Sequence, residues 1–153
     1  MSIYEAAGGA PAMLALAADF HARCLAHPML EHPFSHGIDP HHVQHLAEYW
    51  GEVFGGPPTY STSHGGHRAM IGVHANQGAD ADFGDAFVAC FVEALDGAHL
   101  PPDPRLREAM AAYMRWATDE VIHYSPADAK VPAQLPMPHW DLTGLRADSQ
   151  HPA

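Results

Sequence analysis

The stretch YWGEVFGGPPTYSTSHGGHRAMIGVH, Tyr49 to His74, decides how the rest of the chain is read. Its left end completes an amphipathic helix in which Val43, Leu46, Ala47, Trp50, Val53 and Phe54 recur at helical spacing on one face. Gly55-Gly56-Pro57-Pro58 stops that helix, because glycine suits the C-terminal cap and proline cannot continue the bonding. Residues 59–80 are rich in Gly, Ser and His and read as a loop, with His74 standing alone toward its far end. A connection of about twenty residues exceeds the usual length in a compact domain and normally marks function. Here it presents one imidazole to an apolar space walled by the preceding helix.

Outward from this stretch the pattern stays helical, and no run alternates with period two for long enough to make a sheet. A short segment ends at Gly8-Gly9. A helix from about Pro11 to Ala26 then carries Met13, Leu14, Leu16, Ala17, Phe20 and Cys24. Pro28 and Pro33 break the next stretch into a turn or a single-turn helix. Asp39-Pro40 reads as a helix start, with Asp as N-cap and Pro at the first helical position, and Asp103-Pro104 repeats it. A helix from about Asp82 to Leu95 presents Phe87, Val88, Phe91, Val92 and Leu95. The last core stripe is Leu106, Met110, Tyr113, Met114, Ala117 and Val121. From Ser125 the chain is Pro-rich and polar and reads as an extended tail, with Trp140 able to pack it back onto the body.

Composition narrows the function. At 153 residues, 47% hydrophobic and 16% charged, the chain reads as one globular unit with a real core. Its formal net charge of −11 argues against nucleic acid as a partner, since a duplex-binding module shows a basic face. The start MSIYEAAGGA has no basic n-region or apolar h-region, and no apolar run reaches membrane-spanning length. The expectation is therefore a cytoplasmic protein with no membrane association. Cys24 and Cys90, far apart in sequence and inside helical patterns, match no zinc or redox spacing and read as inert core thiols.

Fourteen histidines are the compositional oddity. Histidine ligates both haem iron and zinc. His41 and His45 stand at i, i+4, which puts two imidazoles on one helix face, and His64 and His67 could fold in as further ligands. A non-haem zinc or di-metal enzyme using His41 and His45 is thus one reading, although no HExxH motif supplies a base. A structural or interaction module without cofactor is another.

The third reading rests on a family. The string from Tyr49 to His74 closely resembles the distal-helix, hinge and proximal-histidine segment of the truncated haemoglobins, specifically group II. The resemblance covers roughly residues 5–124 and is strongest at Ala7-Gly8-Gly9, Tyr49 to Ser61 and Gly65 to His74. GGPPTYS and the histidine after a shortened proximal-helix segment are its more specific elements, and LPMPHW resembles the tails of actinobacterial members. It implies an all-α truncated globin fold, a two-over-two helical sandwich around haem b, with an iron that binds O2, CO or NO. The division expected is a globin domain at 1–124 and a Pro-rich tail at 125–153.

Carried over by position, the resemblance puts His74 on the proximal iron ligand, its second ring nitrogen expected on a backbone carbonyl. Leu46, Tyr49 and Trp50 would form the distal wall, Phe87 and Phe91 the opposite one, and Phe34 would close the ring edge. Met70 joins the cofactor-binding set, and Arg68 and Tyr60 become propionate partners. His21 falls where the family usually has a distal tyrosine, Phe34 where many members have Tyr, and Phe87 where a tryptophan is widespread. His42 and Leu46 lie on the ligand-facing side of the distal helix. With the usual phenol and indole absent, the donors toward a bound gas reduce to His21 and His42. The chain carries no flavin or nicotinamide fingerprint, so NO dioxygenase turnover would need a separate reductase, and peroxidase-like activity is the other enzymatic possibility. Sequence does not choose between monomer and homodimer.

Overall fold

The computed structural model describes residues 1–31 and 40–147. The first helices are α1 (Ile3–Ala7), α2 (Gly9–Ala26) and α3 (His42–Val53). They are followed by α4 (Thr59–Ser63), α5 (Gly66–His74), α6 (Ala81–Gly97) and α7 (Pro104–His123). α2 packs on α3, α6 on α7, and α2 crosses onto α6, giving the two-over-two helical sandwich. One contiguous core fills it, built from Met13, Leu16 and Phe20 of α2, Trp50 and Val53 of α3, Phe91 and Leu95 of α6 and Leu106, Met110 and Tyr113 of α7.

Capping explains where several helices begin. Ser2 accepts from Glu5 N at 3.1 Å in the first turn of α1, Asp80 accepts from Phe83 N at 2.9 Å on α6, and Asp103 accepts from Arg105 N at 2.9 Å on α7. Asp103-Pro104 thus starts its helix as its sequence indicates. The equivalent expectation at Asp39-Pro40 differs. Asp39 lies outside the described residues, as do Pro33 and Phe34, and Pro40 is in a turn, so α3 begins only after His41.

The hinge after α3 needs glycine for close approach. A Cβ on Gly56 would sit 2.7 Å from Tyr4 Cδ2 and 2.8 Å from the Gly51 carbonyl oxygen, so Tyr4 of α1 packs where a side chain would otherwise be. Across the same hinge, buried Glu52 accepts from Ser61 N at 2.8 Å and from Ser61 Oγ at 2.5 Å.

Residues 59–80 are not the continuous loop that their composition indicates. They hold α4 and α5, separated at Gly65, whose φ of +87° only glycine adopts readily. Both helices are short and α5 buries only His67 and Ile71 fully, so the hydrophobic periodicity is too sparse to register. Two residues assigned to core stripes, Leu14 and Val92, are instead exposed on the outer faces of α2 and α6.

Beyond α7 the chain runs without helix to a two-stranded antiparallel pairing of β1 (Trp140–Asp141) with β2 (Gly144–Leu145). Trp140 is buried there, edge-on to Tyr113 at 5.8 Å and near Trp116 at 6.0 Å, and Met137 joins the core beside it. Cys24 and Cys90 are free, buried and paired side chain to side chain between α2 and α6, and burial pushes both thiol pKa values up. Among the described residues no helix is long and apolar enough to cross a membrane.

Candidate functional site

The last residue of α5, His74, turns a half-buried imidazole onto a cavity walled by α2, α3, α5, α6 and α7. Its Nδ1 lies 2.8 Å from the Met70 carbonyl oxygen one helical turn back. With Nδ1 donating, Nε2 keeps its lone pair. Burial holds the His74 pKa below 6.5, against a smaller opposing effect of the Met70 bond, so the ring is neutral at pH 7.

Leu46, Tyr49 and Trp50 line the cavity from α3, Met70 from α5 and Phe87 from α6, which gathers most of the residues singled out from sequence. His42, at the start of α3, lines it too. His21 does not: its ring sits behind His42, centroids 5.3 Å apart, and burial lowers its pKa. The polar walls are mostly committed elsewhere. Thr118 Oγ1 donates to the Met114 carbonyl at 2.7 Å, and the Tyr49 hydroxyl is 2.8 Å from His67 Nδ1.

Three residues expected at the site lie away from the cavity. Phe91 is fully buried against Phe20 and Trp50, at centroid distances of 6.2 and 5.1 Å, so it supports the wall from behind. Tyr60 is buried edge-on against Tyr49 at 5.1 Å. Arg68 is exposed on α5 and its Nε donates to the Pro132 carbonyl at 3.1 Å, which ties it to the tail. Phe34 lies outside the described residues.

Sequence reasoning missed what α2 and α7 contribute and part of what α6 does. Phe20 of α2, Phe83 and Gly84 of α6, and Tyr113, Met114, Val121 and Ile122 of α7 all line the cavity. Several of them belong to recognisable apolar stripes, but a stripe does not reveal where two helices part to leave space. A Cβ on Gly84 would come within 2.7 Å of Ile122 Cδ1, so a glycine inside a helical pattern was the available clue to close packing here.

The metal-enzyme reading finds no support in the geometry. His41 and His45 lie 6.1 Å apart by centroid and His45 is 4.1 Å from His64, but His64 Nε2 is held by Glu48 at 2.7 Å. His67 is buried between Tyr49 and Glu120. Among the described residues no group of three or more His, Cys, Asp or Glu side chains is arranged to hold a metal ion.

A profile of the bacterial-like globins matches residues 2–122. Among solved structures, the chain is similar to the hemoglobin of the thermophilic phototrophic bacterium Chloroflexus aurantiacus. That likeness has 30% identity and a TM-score of 0.69, and covers 80% of this chain and 98% of that one. It is also similar to a thermostable hemoglobin from the actinobacterium Thermobifida fusca, with 26% identity, TM-score 0.66, and coverage of 80% and 97%. The group II truncated hemoglobin of Bacillus anthracis shares the fold at 21% identity and TM-score 0.71, covering 82% and 93%. No curated protein matches the sequence.

Proposed function

This chain belongs to the bacterial-like globins and is a haem-binding, gas-binding protein; from that premise we propose that His74 is the proximal ligand of haem b held in the cavity beside it. One observation carries the reading. His74 is the cavity-lining imidazole whose Nδ1 is engaged by a backbone carbonyl, which orients the ring and reserves Nε2 for iron. The walls support it: Leu46, Trp50, Met70, Phe83 and Phe87 offer a hydrocarbon and aromatic surface suited to a flat apolar macrocycle.

A bound haem would supply an iron able to take up O2, CO or NO. The residues do the rest. His42 holds an imidazole at the cavity from α3, and Leu46 one turn on excludes water beside it. His21, tilted against His42 with ring centroids 5.3 Å apart, acts through it by restricting its ring. The place of action on this reading is the cytoplasm, and sustained turnover as an NO dioxygenase draws electrons from a separate reductase.

The test is His74→Gly. The variant should lose most of its haem in purification and regain a Soret band when imidazole is added. Wild-type haem content and an unchanged spectrum in the variant would show that another residue binds the iron.

A further inference from the structure

Tyr49 presents its ring to the cavity, yet its hydroxyl belongs to a different assembly. Tyr49 Oη lies 2.8 Å from His67 Nδ1, and His67 Nε2 lies 2.7 Å from Glu120 Oε1, so α3, α5 and α7 are joined by one hydrogen-bonded line. The His67 side chain is fully buried while that of Glu120 is 11% exposed, so the line runs from the cavity wall toward the surface. A carboxylate only accepts, so His67 donates from Nε2; with the ring neutral, Nδ1 keeps a lone pair to which the phenol donates.

Such an arrangement has a chemical consequence. A phenol that loses an electron becomes a strong acid, and in a buried site it gives up that electron readily only if a base is already bonded to it. Burial pushes the Tyr49 pKa well above 10, with Tyr113 and Glu120 adding to the rise, so prior ionisation to phenolate is closed as a route. Tyr60 and Tyr113 crowd the same region, but the hydrogen-bonded imidazole is on Tyr49.

We propose that Tyr49 is a redox-active side chain: when a peroxide is reduced in the haem cavity, Tyr49 gives up one electron and its proton passes from Oη to His67 Nδ1, leaving a neutral tyrosyl radical. This rests on the haem reading above. The Glu120 carboxylate stabilises the imidazolium so formed. Reduction of one hydrogen peroxide to two waters takes two electrons and two protons. Tyr49 delivers the electrons in two cycles. After each cycle one molecule of a phenol-class reductant returns an electron to Tyr49, and the proton on His67 goes back to Oη. The two protons that complete the waters come from the two reductant molecules through solvent, each leaving as a phenoxyl radical.

Haem-loaded protein mixed with hydrogen peroxide and frozen should give a tyrosyl signal by electron paramagnetic resonance. Normalised to bound haem, that signal should be lost in Tyr49→Phe and weaker and slower to form in His67→Gln, which retains an acceptor but no comparable base. A nitroso spin trap with peptide mass spectrometry, applied to the unaltered protein, should place the adduct on Tyr49 and decides the matter even if a variant fails to fold. A signal that persists in Tyr49→Phe, adducts confined to other tyrosines, or a haem-loaded wild type without a tyrosyl signal each overturn the proposal. A wild type that takes up no haem would overturn the cofactor assignment instead.

Discussion

Two imidazoles meet at the entrance to α3, and only one of them reaches the cavity. His42 lines it, while His21 packs behind at 5.3 Å between centroids. A charge-assisted hydrogen bond to a gas ligand that draws negative charge is worth about 1.5–3 kcal/mol, or roughly tenfold to hundredfold in release rate. His42→Leu should therefore speed O2 dissociation by that factor, measured by stopped-flow displacement with CO. His21→Leu should change it by less, because it removes only the ring that restrains His42. Equal effects would mean that His21 contacts the ligand itself. Sequence reached this pair but could not rank it, since helical spacing places a residue on a face without saying how far its ring extends. It did better at His74, where a backbone carbonyl was expected on one ring nitrogen and Met70 O lies 2.8 Å from Nδ1. Phe91 misled because it shares a stripe with Phe87 at i, i+4. The cavity opens only along the first half of α6, at Phe83, Gly84 and Phe87, so the next turn is solid core.

At the scale of helices, α6 and α7 approach closely at one point on the cavity wall. Gly84 is that point: an added Cβ would meet Ile122 Cδ1 at 2.7 Å and Thr118 Cγ2 at 2.8 Å, both on α7. Those two residues also line the cavity, so whatever displaces them changes its shape. Gly84→Ala should cost about 1–3 kcal/mol by overpacking, partly offset by the helix preference of Ala over Gly. Thermal unfolding should show the lowered stability, and haem titration a weakened affinity; a variant as stable as wild type would mean that α7 shifts without strain. The long helices were legible because their apolar spacing repeats over three turns or more, and Asp103-Pro104 announced its own start. α4 and α5 were not. Five and nine residues give too few turns for periodicity, and their stability comes from tertiary ties such as Glu52 to Ser61 that no local pattern contains.

Across the whole molecule, charge and strapping set the stability. Burial lowers the His21 pKa below its unfolded value of 6.5. Between those two pH values the unfolded chain binds more protons, so the His21 contribution is fully present above pH 6.5 and is lost as pH falls through the folded value. Glu48 behaves likewise lower down. Its pKa is depressed from 4.5 first by the Gln44 hydrogen bond and then by His64, so its contribution is present above 4.5 and lost in stronger acid. Urea midpoints should decline from pH 7 to pH 4, with His21→Leu flattening the upper part of that decline; a midpoint insensitive to pH above 5 would exclude the His21 contribution.

The segment after α7 ties the His74 side of the cavity together. Arg68 of α5 donates to Pro132 O at 3.1 Å, Asn76 Nδ2 donates to Pro126 O at 2.7 Å and Ala129 O at 2.9 Å, and Gly78 N donates to Ser125 O at 3.0 Å. These bonds bracket His74 in sequence, on α5 before it and in the turn after it. The same segment seats Met137 and Trp140 against Tyr113, whose ring lines the cavity. Removing residues 125–153 strips two large apolar side chains from the core, each worth about 1.5–3 kcal/mol when buried. It also releases α5 and the turn behind it, which lowers the stability of the element carrying His74 more than that of the α2–α3 pair. The truncated chain should unfold at a lower temperature. It should also lose haem to an acceptor apoprotein faster than Trp140→Ala does, because the point variant keeps the hydrogen bonds to Arg68, Asn76 and Gly78. Equal rates of haem loss in the two would mean that packing at Trp140, and not the strap across α5, governs retention.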